Sequence, residues 1–226
     1  GLTETSPVIA VNSFERVKIG TVGHVLDNLD VKIQADGEIT VKGPSVFQGY
    51  YKDEEKTKEA FTEDGFFMTG DIGHIDEEGF LHITDRKKEM FKTSGGKYVA
   101  PQVLENLAKG SKFIEQIMVV GDGEKMPCAL VQPDYAFAKL WAERKHLKIG
   151  KTPEEMANSP ELKARIMKDI NLLNATLGKW EQIKKIELTP TLWTIEDGLL
   201  TPTMKLKRKA VKEKFFNLYE KLYDRA

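Results

Sequence analysis

Thr69-Gly70-Asp71 offers a group suited to holding a sugar. A carboxylate accepts hydrogen bonds from two vicinal hydroxyls, as on a ribose, although an Asp after Gly is as readily a turn residue. Arg86 stands in the charge run Asp85-Arg86-Lys87-Lys88-Glu89. Its planar fork suits phosphate or ribose oxygens; the plainer use of such a run is a solvated connector. Ser94-Gly95-Gly96 either lets the backbone approach a ligand closely or forms a simple turn. Thr201-Pro202-Thr203-Met204-Lys205-Leu206-Lys207-Arg208 is a basic strand or loop. A mobile lysine there meets negative charge developing on a phosphate or carboxylate; the alternative is a solvated charge cluster. Thr3-Glu4 supplies oxygens of the kind Mg2+ takes, though an isolated Thr-Glu pair is ordinarily structural.

These residues must be held by regular elements. Residues 24 to 50 read as β, with Val31, Ile33, Ile39 and Val41 alternating around an Asp36-Gly37 hairpin turn. Asp53 caps a short helix over residues 53 to 61, and residues 65 to 84 form a meander turned by Asp76-Glu77-Glu78-Gly79. From Asp85 the texture changes. A helix is expected from Pro101 to Lys109, then strands over 114 to 120 and 128 to 132. Asp134 caps a helix with Phe137, Leu140 and Trp141. Thr152-Pro153-Glu154-Glu155 is a capping box, and Ser159-Pro160 opens the next helix. A strand over 183 to 188 follows, and Asp197-Gly198 turns the chain into Leu199 to Met204. The tail from Lys207 is helical, with Phe215, Leu218, Tyr219 and Leu222 on one face. The expected class is α+β: a mostly β first segment, then a small α+β domain from about residue 86.

Composition narrows the function. Lys plus Arg (34) and Asp plus Glu (35) nearly cancel, which argues against a dedicated nucleic-acid binder resting on net positive charge. One cysteine, Cys128, rules out an intrachain disulfide and reads as a small buried hydrophobe in a reducing compartment. His24, His74 and His82 are too scattered for a metal site. No apolar run approaches the ~20 residues that span a bilayer. The tail helix, with Phe215, Phe216 and Tyr219 beside several lysines, packs on the core or else lies on a membrane surface.

In combination these motifs resemble the adenylate-forming superfamily of acyl-CoA synthetases, luciferases and peptide-synthetase adenylation domains. Gly1-Leu2-Thr3-Glu4 looks like the tail of its Tyr-Gly-x-Thr-Glu motif, and Gly20-Thr21-Val22-Gly23 matches the next landmark. Asp64 to Gly73 resembles the fatty-acyl-CoA synthetase signature, which Asp85 to Lys92 continues. Gly96-Lys97-Tyr98-Val99-Ala100-Pro101 is typical of long-chain members, and Thr201 to Arg208 resembles their final lysine motif. The motifs run in the family's order along essentially the whole chain.

The resemblance implies that residues 1–85 are the β-rich end of a large AMP-binding domain and 86–226 a small mobile C-terminal domain. It implies ATP/AMP, Mg2+ and coenzyme A as cofactors and substrates, and a long-chain fatty acid as the acid. Thr3 and Glu4 would lie by the Mg2+–ATP phosphates, with Glu4 toward the metal. Asp71 would hold the ribose, and Arg86 would contact the nucleotide. Lys88, where many relatives carry Asp, would be the hinge; Gly95 would border the pantetheine tunnel; Lys205 would be the adenylation lysine. No Ser/Thr/Gly-rich phosphate loop ending in Lys-Gly occurs here, and no Tyr precedes Gly1. The chain is therefore expected to lack an N-terminal portion holding that loop and the acyl pocket, and to be inactive alone. The expected location is cytoplasmic, with peripheral membrane contact as a variant. Two other readings are an adenylating enzyme for another carboxylic acid and a non-catalytic interaction fragment.

Overall fold

The computed structural model describes residues 1–225. The chain divides into two compact units, Gly1–Met90 and Phe91–Ala226. The sequence expectation put the division at 85/86. Asp85 and Arg86 instead end a strand of the first unit, because their backbones pair with Ile72 and Asp71.

In the first unit a single 3-10 turn, Thr3–Thr5, precedes β1 (Ala10–Val11), β2 (Gly23–Val25), β3 (Asp30–Ile33), β4 (Glu38–Lys42), α1 (Glu54–Glu59), β5 (Phe67–Ile75) and β6 (Phe80–Arg86). The strands form one sheet in the order β1-β2-β6-β5-β4-β3, antiparallel throughout. Both expected hairpin turns are present. Asp36 Oδ1 accepts from Glu38 N–H at 3.1 Å, and Asp76 Oδ1 accepts from Glu78 and Phe80 N–H at 3.0 and 2.9 Å. Asp53 caps α1 through Lys56 N–H at 3.0 Å. Leu29, Ile39, Val41, Phe67 and Leu81 bury the apolar face. β4 also buries Glu38 and Thr40 on its other face, which alternation alone marked as solvent-facing.

The second unit contains β7 (Phe91–Lys92), β8 (Tyr98–Val99), α2 (Pro101–Ala108), β9 (Ile114–Val120), β10 (Cys128–Pro133), α3 (Tyr135–Lys145), α4 (Pro153–Ala157), α5 (Pro160–Asn174), β11 (Ile186–Leu188), α6 (Arg208–Lys214) and α7 (Phe216–Leu222). Asp134, Thr152 and Ser159 cap their helices as their sequence positions dictate. The central sheet runs β11-β10-β9, with β10 antiparallel to β9 and parallel to β11. The crossover from β10 to β11 carries three helices, as a parallel pairing requires a long connection. Both faces of the sheet are covered. Ile117, Val119, Ala129 and Val131 join Leu104 of α2 and Ile166 and Ile170 of α5 in one core. Met118, Cys128 and Leu130 meet Trp193, Val211, Phe215, Tyr219 and Leu222 in a second. Double coverage explains why Cys128-Ala129-Leu130-Val131 of β10 is a continuous apolar run rather than an alternating one.

Two elements differ from expectation. β11 begins at Ile186, not 183, because Asn174 takes both backbone groups of Ile183, at 2.9 Å each. The tail is not one helix: Phe215 leaves helical geometry at φ −110°, ψ 33°, where it packs against Trp193. The expected apolar face is spent on the core, with Phe215, Tyr219 and Leu222 buried and Phe216 left exposed. Leu130 is fully buried. Leu130→Ala is expected to destabilise the second unit by about 2–5 kcal/mol, read by urea denaturation; a change inside measurement error would show that the core there collapses freely.

Candidate active site

Thr69-Gly70-Asp71 is where β5 departs from regular pairing. Glu38 pairs with Ile72 but Thr40 with Met68, so β5 carries extra residues against β4. Such a bulge bends the strand and re-aims side chains, and its backbone groups need other partners. Thr69 Oγ1 donates to Ile39 C=O at 2.6 Å, and Gly70 N–H donates to Glu38 Oε1 at 3.0 Å. Gly70 takes φ +72°, a conformation that glycine adopts without a Cβ penalty. β5 closes on β6 at Gly73, where a Cβ would lie 2.0 Å from the His82 carbonyl oxygen.

The bulge sets Asp71 directly opposite Arg86 on β6. Arg86 Nε donates to Asp71 Oδ1 at 2.7 Å; the aspartate is mostly buried and the guanidinium about half exposed. The pair presents an acceptor and a fork of donors side by side. The middle of β5 also comes close to the chain start: Gly1, Thr69 and Asp71 line one cavity of about 20 Å³, of the size a single water fills.

Thr3 is exposed and Glu4 half-buried in the 3-10 turn. Buried Thr5 pins that turn, accepting from Leu2 N–H and donating to backbone carbonyl oxygens. Glu4 Oε1 accepts from Tyr50 Oη at 3.1 Å. The Tyr50 phenol is pushed up first by its burial and then by Glu4, so it stays protonated and donating. Among the described residues no group of three His, Cys, Asp or Glu side chains is arranged to hold a metal ion. A single carboxylate such as Glu4 fits Mg2+ only as one ligand of an ion held chiefly by phosphate oxygens. Three of the four histidines have other partners: His74 stacks on His82 at 4.6 Å, His82 bonds Asp76, and His24 packs on Phe80.

Lys88 lies exposed in the turn that follows β6, where Glu89 and Met90 N–H both donate to Arg86 C=O. Gly95 and Lys205 belong to the second unit. Gly95 is at the exposed tip joining β7 to β8, closed by Thr93 N–H to Lys97 C=O at 2.9 Å and tethered by Ser94 N–H to Glu124 C=O at 2.8 Å. Nearby Tyr98 and Trp180 are exposed aromatics with Lys92 and Lys97 over their rings.

Lys205 is exposed at the end of a tight loop. Thr201 closes that loop on itself: its N–H donates to Lys205 C=O at 2.8 Å, and its Oγ1 accepts from Lys205 N–H at 3.0 Å. Met204 takes a left-handed φ of 60° to make the turn. Downstream, Arg208 Nη1 meets Glu105 Oε1 at 2.7 Å and Nη2 donates to Val119 C=O. Glu105 Oε1 also accepts from Val119 N–H at 2.7 Å. The loop is thus anchored to the central sheet immediately beyond the lysine.

Sequence reasoning named Asp71, Arg86, Thr3, Glu4, Lys88, Gly95 and Lys205. It gave no role of their own to Glu38, Tyr50, Thr201 or the Glu105–Arg208 pair. Glu38 reads as an ordinary post-turn charge, and Tyr50 sits in no periodic pattern. The one legible hint was Thr201, four residues before the lysine and able to bond backbone locally.

The AMP-binding enzyme C-terminal domain family matches residues 89–226. The chain is 43% identical over 225 residues to the long-chain-fatty-acid–CoA ligase FadD15 of Mycobacterium bovis, covering 100% of this chain and 37% of that protein. It therefore spans little more than a third of that relative's length. Among solved structures it resembles the adenylation domain of a carboxylate reductase from Mycobacterium chelonae, with a TM-score of 0.65 at 30% identity, over 83% of this chain and 28% of that one. It likewise resembles ATP-bound MatB from Rhodopseudomonas palustris, with a TM-score of 0.66 at 27% identity, over 97% of this chain and 40% of that one.

Proposed function

The chain belongs to the AMP-binding enzyme C-terminal domain family, and from that premise we propose that it is the C-terminal portion of an ATP-dependent long-chain fatty acid–CoA ligase. The observation that carries the reading is the Asp71–Arg86 pair at the β5 bulge, an acceptor and a fork of donors set side by side as a ribose and its phosphate need. The ligase name of the 43% identical relative supports the choice of acid and of CoA as acceptor.

In this reading a fatty-acid carboxylate oxygen attacks the α-phosphorus of ATP. The bond to the β-phosphate oxygen breaks, and pyrophosphate leaves. The CoA thiol then gives up its proton and attacks the acyl carbon, and AMP leaves. Glu4, with Thr3 beside it, would supply the protein's oxygen ligand to a phosphate-bound Mg2+, which would neutralise phosphate charge. Asp71 accepts from the ribose hydroxyls, and Arg86 donates to nucleotide oxygens. Lys205 stabilises the charge that develops in adenylation. Lys88 is the hinge, so that the second unit presents Lys205 in the first step and the Gly95 loop in the second. Tyr98 and Trp180, with Lys92 and Lys97, suit the base and phosphates of CoA. No helix among the described residues is long and apolar enough to cross a membrane.

Asp71→Ala in the full-length parent tests this assignment. Loss of a charged hydrogen-bonding partner should raise the KM for ATP by about 10- to 100-fold, with a smaller effect on the KM for the fatty acid. An unchanged KM for ATP, measured by pyrophosphate release, would remove Asp71 from the nucleotide site.

A further inference from the structure

Three residues of the first unit form a closed ring. Gly70 N–H donates to Glu38 Oε1 at 3.0 Å. Lys87 N–H donates to Gly70 C=O at 2.8 Å. Lys87 Nζ returns to Glu38 Oε2 at 2.7 Å, and Asp36 Oδ2 meets the same ammonium at 2.7 Å. The ring joins three segments that are distant in sequence: the start of β4, the bulge of β5 and the first residue beyond β6.

The Glu38 side chain is 5% exposed. A carboxylate so placed needs its partners, because breaking a buried pair leaves an uncompensated charge. Lys87 keeps its proton: the hydrogen bonds it donates to Asp36 and then Glu38 push its pKa up, and Lys87 in turn holds the Asp36 carboxyl below its usual range. Each end of the ring adjoins a functional position. Gly70 precedes Asp71, and Lys87 stands between Arg86 and Lys88.

A hinge needs a fixed end. Rotation is absorbed by a few backbone torsions, and torsions upstream of the pivot must not share it. Were Lys87 free, its φ and ψ would take up part of the turn, and Arg86 would be drawn away from Asp71. The ring prevents this by holding Lys87 at its N–H and its ammonium. We propose that Glu38 is a positioning residue that locks the Asp71 bulge to Lys87, so that domain rotation begins at Lys88 and leaves the nucleotide-holding pair in place. The proposal rests on the hinge reading given above.

The test uses four variants of the full-length parent and both half-reactions. Glu38→Gln keeps an oxygen for Gly70 but not the charge for Lys87. Lys87→Met removes only the ammonium, Lys87→Arg restores a cation, and Glu38→Ala removes both supports. Glu38→Gln and Lys87→Met should slow thioester formation from preformed acyl-adenylate about tenfold while the KM for ATP stays within about twofold of its normal value. Glu38→Ala should in addition raise the KM for ATP about tenfold. Lys87→Arg should recover most of the thioester rate. A ring that only stabilises the fold would give equal losses in every rate, tracking the unfolded fraction in urea, and that result overturns the proposal. Lys88→Pro is run beside them. If it separates the half-reactions while Lys87→Met partitions them as the unaltered protein does, the Glu38 lock alone is wrong. If Lys88→Pro fails to separate them, the hinge reading falls and takes the lock with it.

Discussion

Lys205→Ala in the full-length parent is expected to slow acyl-adenylate formation by about 10²–10³-fold, the usual cost of losing one preorganised charge-stabilising contact. Given preformed acyl-adenylate, the same variant should pass the acyl group to CoA at close to the normal rate. The loop makes this variant a clean test of the proposed role. Lys205 is exposed, while its backbone is fixed at both polar atoms by Thr201. Arg208 secures the chain beyond it through Glu105 and the β9 backbone. Truncating the side chain therefore removes the ammonium and leaves the loop geometry intact, so a folding defect is not the expected cause. Single-turnover measurement of each half-reaction decides the matter. A loss of comparable size in both would mean that Lys205 does not act in the first step alone.

Lys88→Pro should give the opposite pattern. Proline fixes φ near −65° and restricts the residue before it. The turn's hydrogen bonds are donated by Glu89 and Met90 to Arg86 C=O, so proline at 88 leaves them standing. What it removes is torsional freedom at the proposed pivot. If the trapped orientation is the adenylating one, pyrophosphate release persists and thioester formation falls by orders of magnitude. Retention of both steps would show that Lys88 is not where the rotation is absorbed.

Where local chemistry sets local structure, the elements could be read from the sequence. Asp53, Asp134, Thr152 and Ser159 each cap a helix by bonding an N–H within their own turn, and Asp36 and Asp76 each shape a hairpin. Sequence alone does not disclose bonds made across distance. Asn174 shortens β11 from nine residues away, and Asp85 and Arg86 were drawn into β6 by pairing with β5. The same holds for the candidate site. Asp71 and Arg86 were legible because their types suit a nucleotide and their surroundings resemble a known motif. Glu38 was not, since its value lies in Gly70 and Lys87, both remote in sequence. Thr201 was nearer to being legible, because its partner Lys205 lies one short loop away.

The second unit closes its own cores. One is drawn from residues between Phe91 and Leu188, the other from residues between Met118 and Leu222. The first sheet ends at Arg86, and the next strand begins at Phe91. For genes that recombine, the few codons between these points are a favourable crossover. A junction there interrupts no strand of either sheet and splits no apolar cluster. Exchange at that point would carry the Gly95 and Lys205 loops into a new parent as one inherited set, while Asp71 and Arg86 stay with the old one. The two units could then be reassorted between lineages without rebuilding a core.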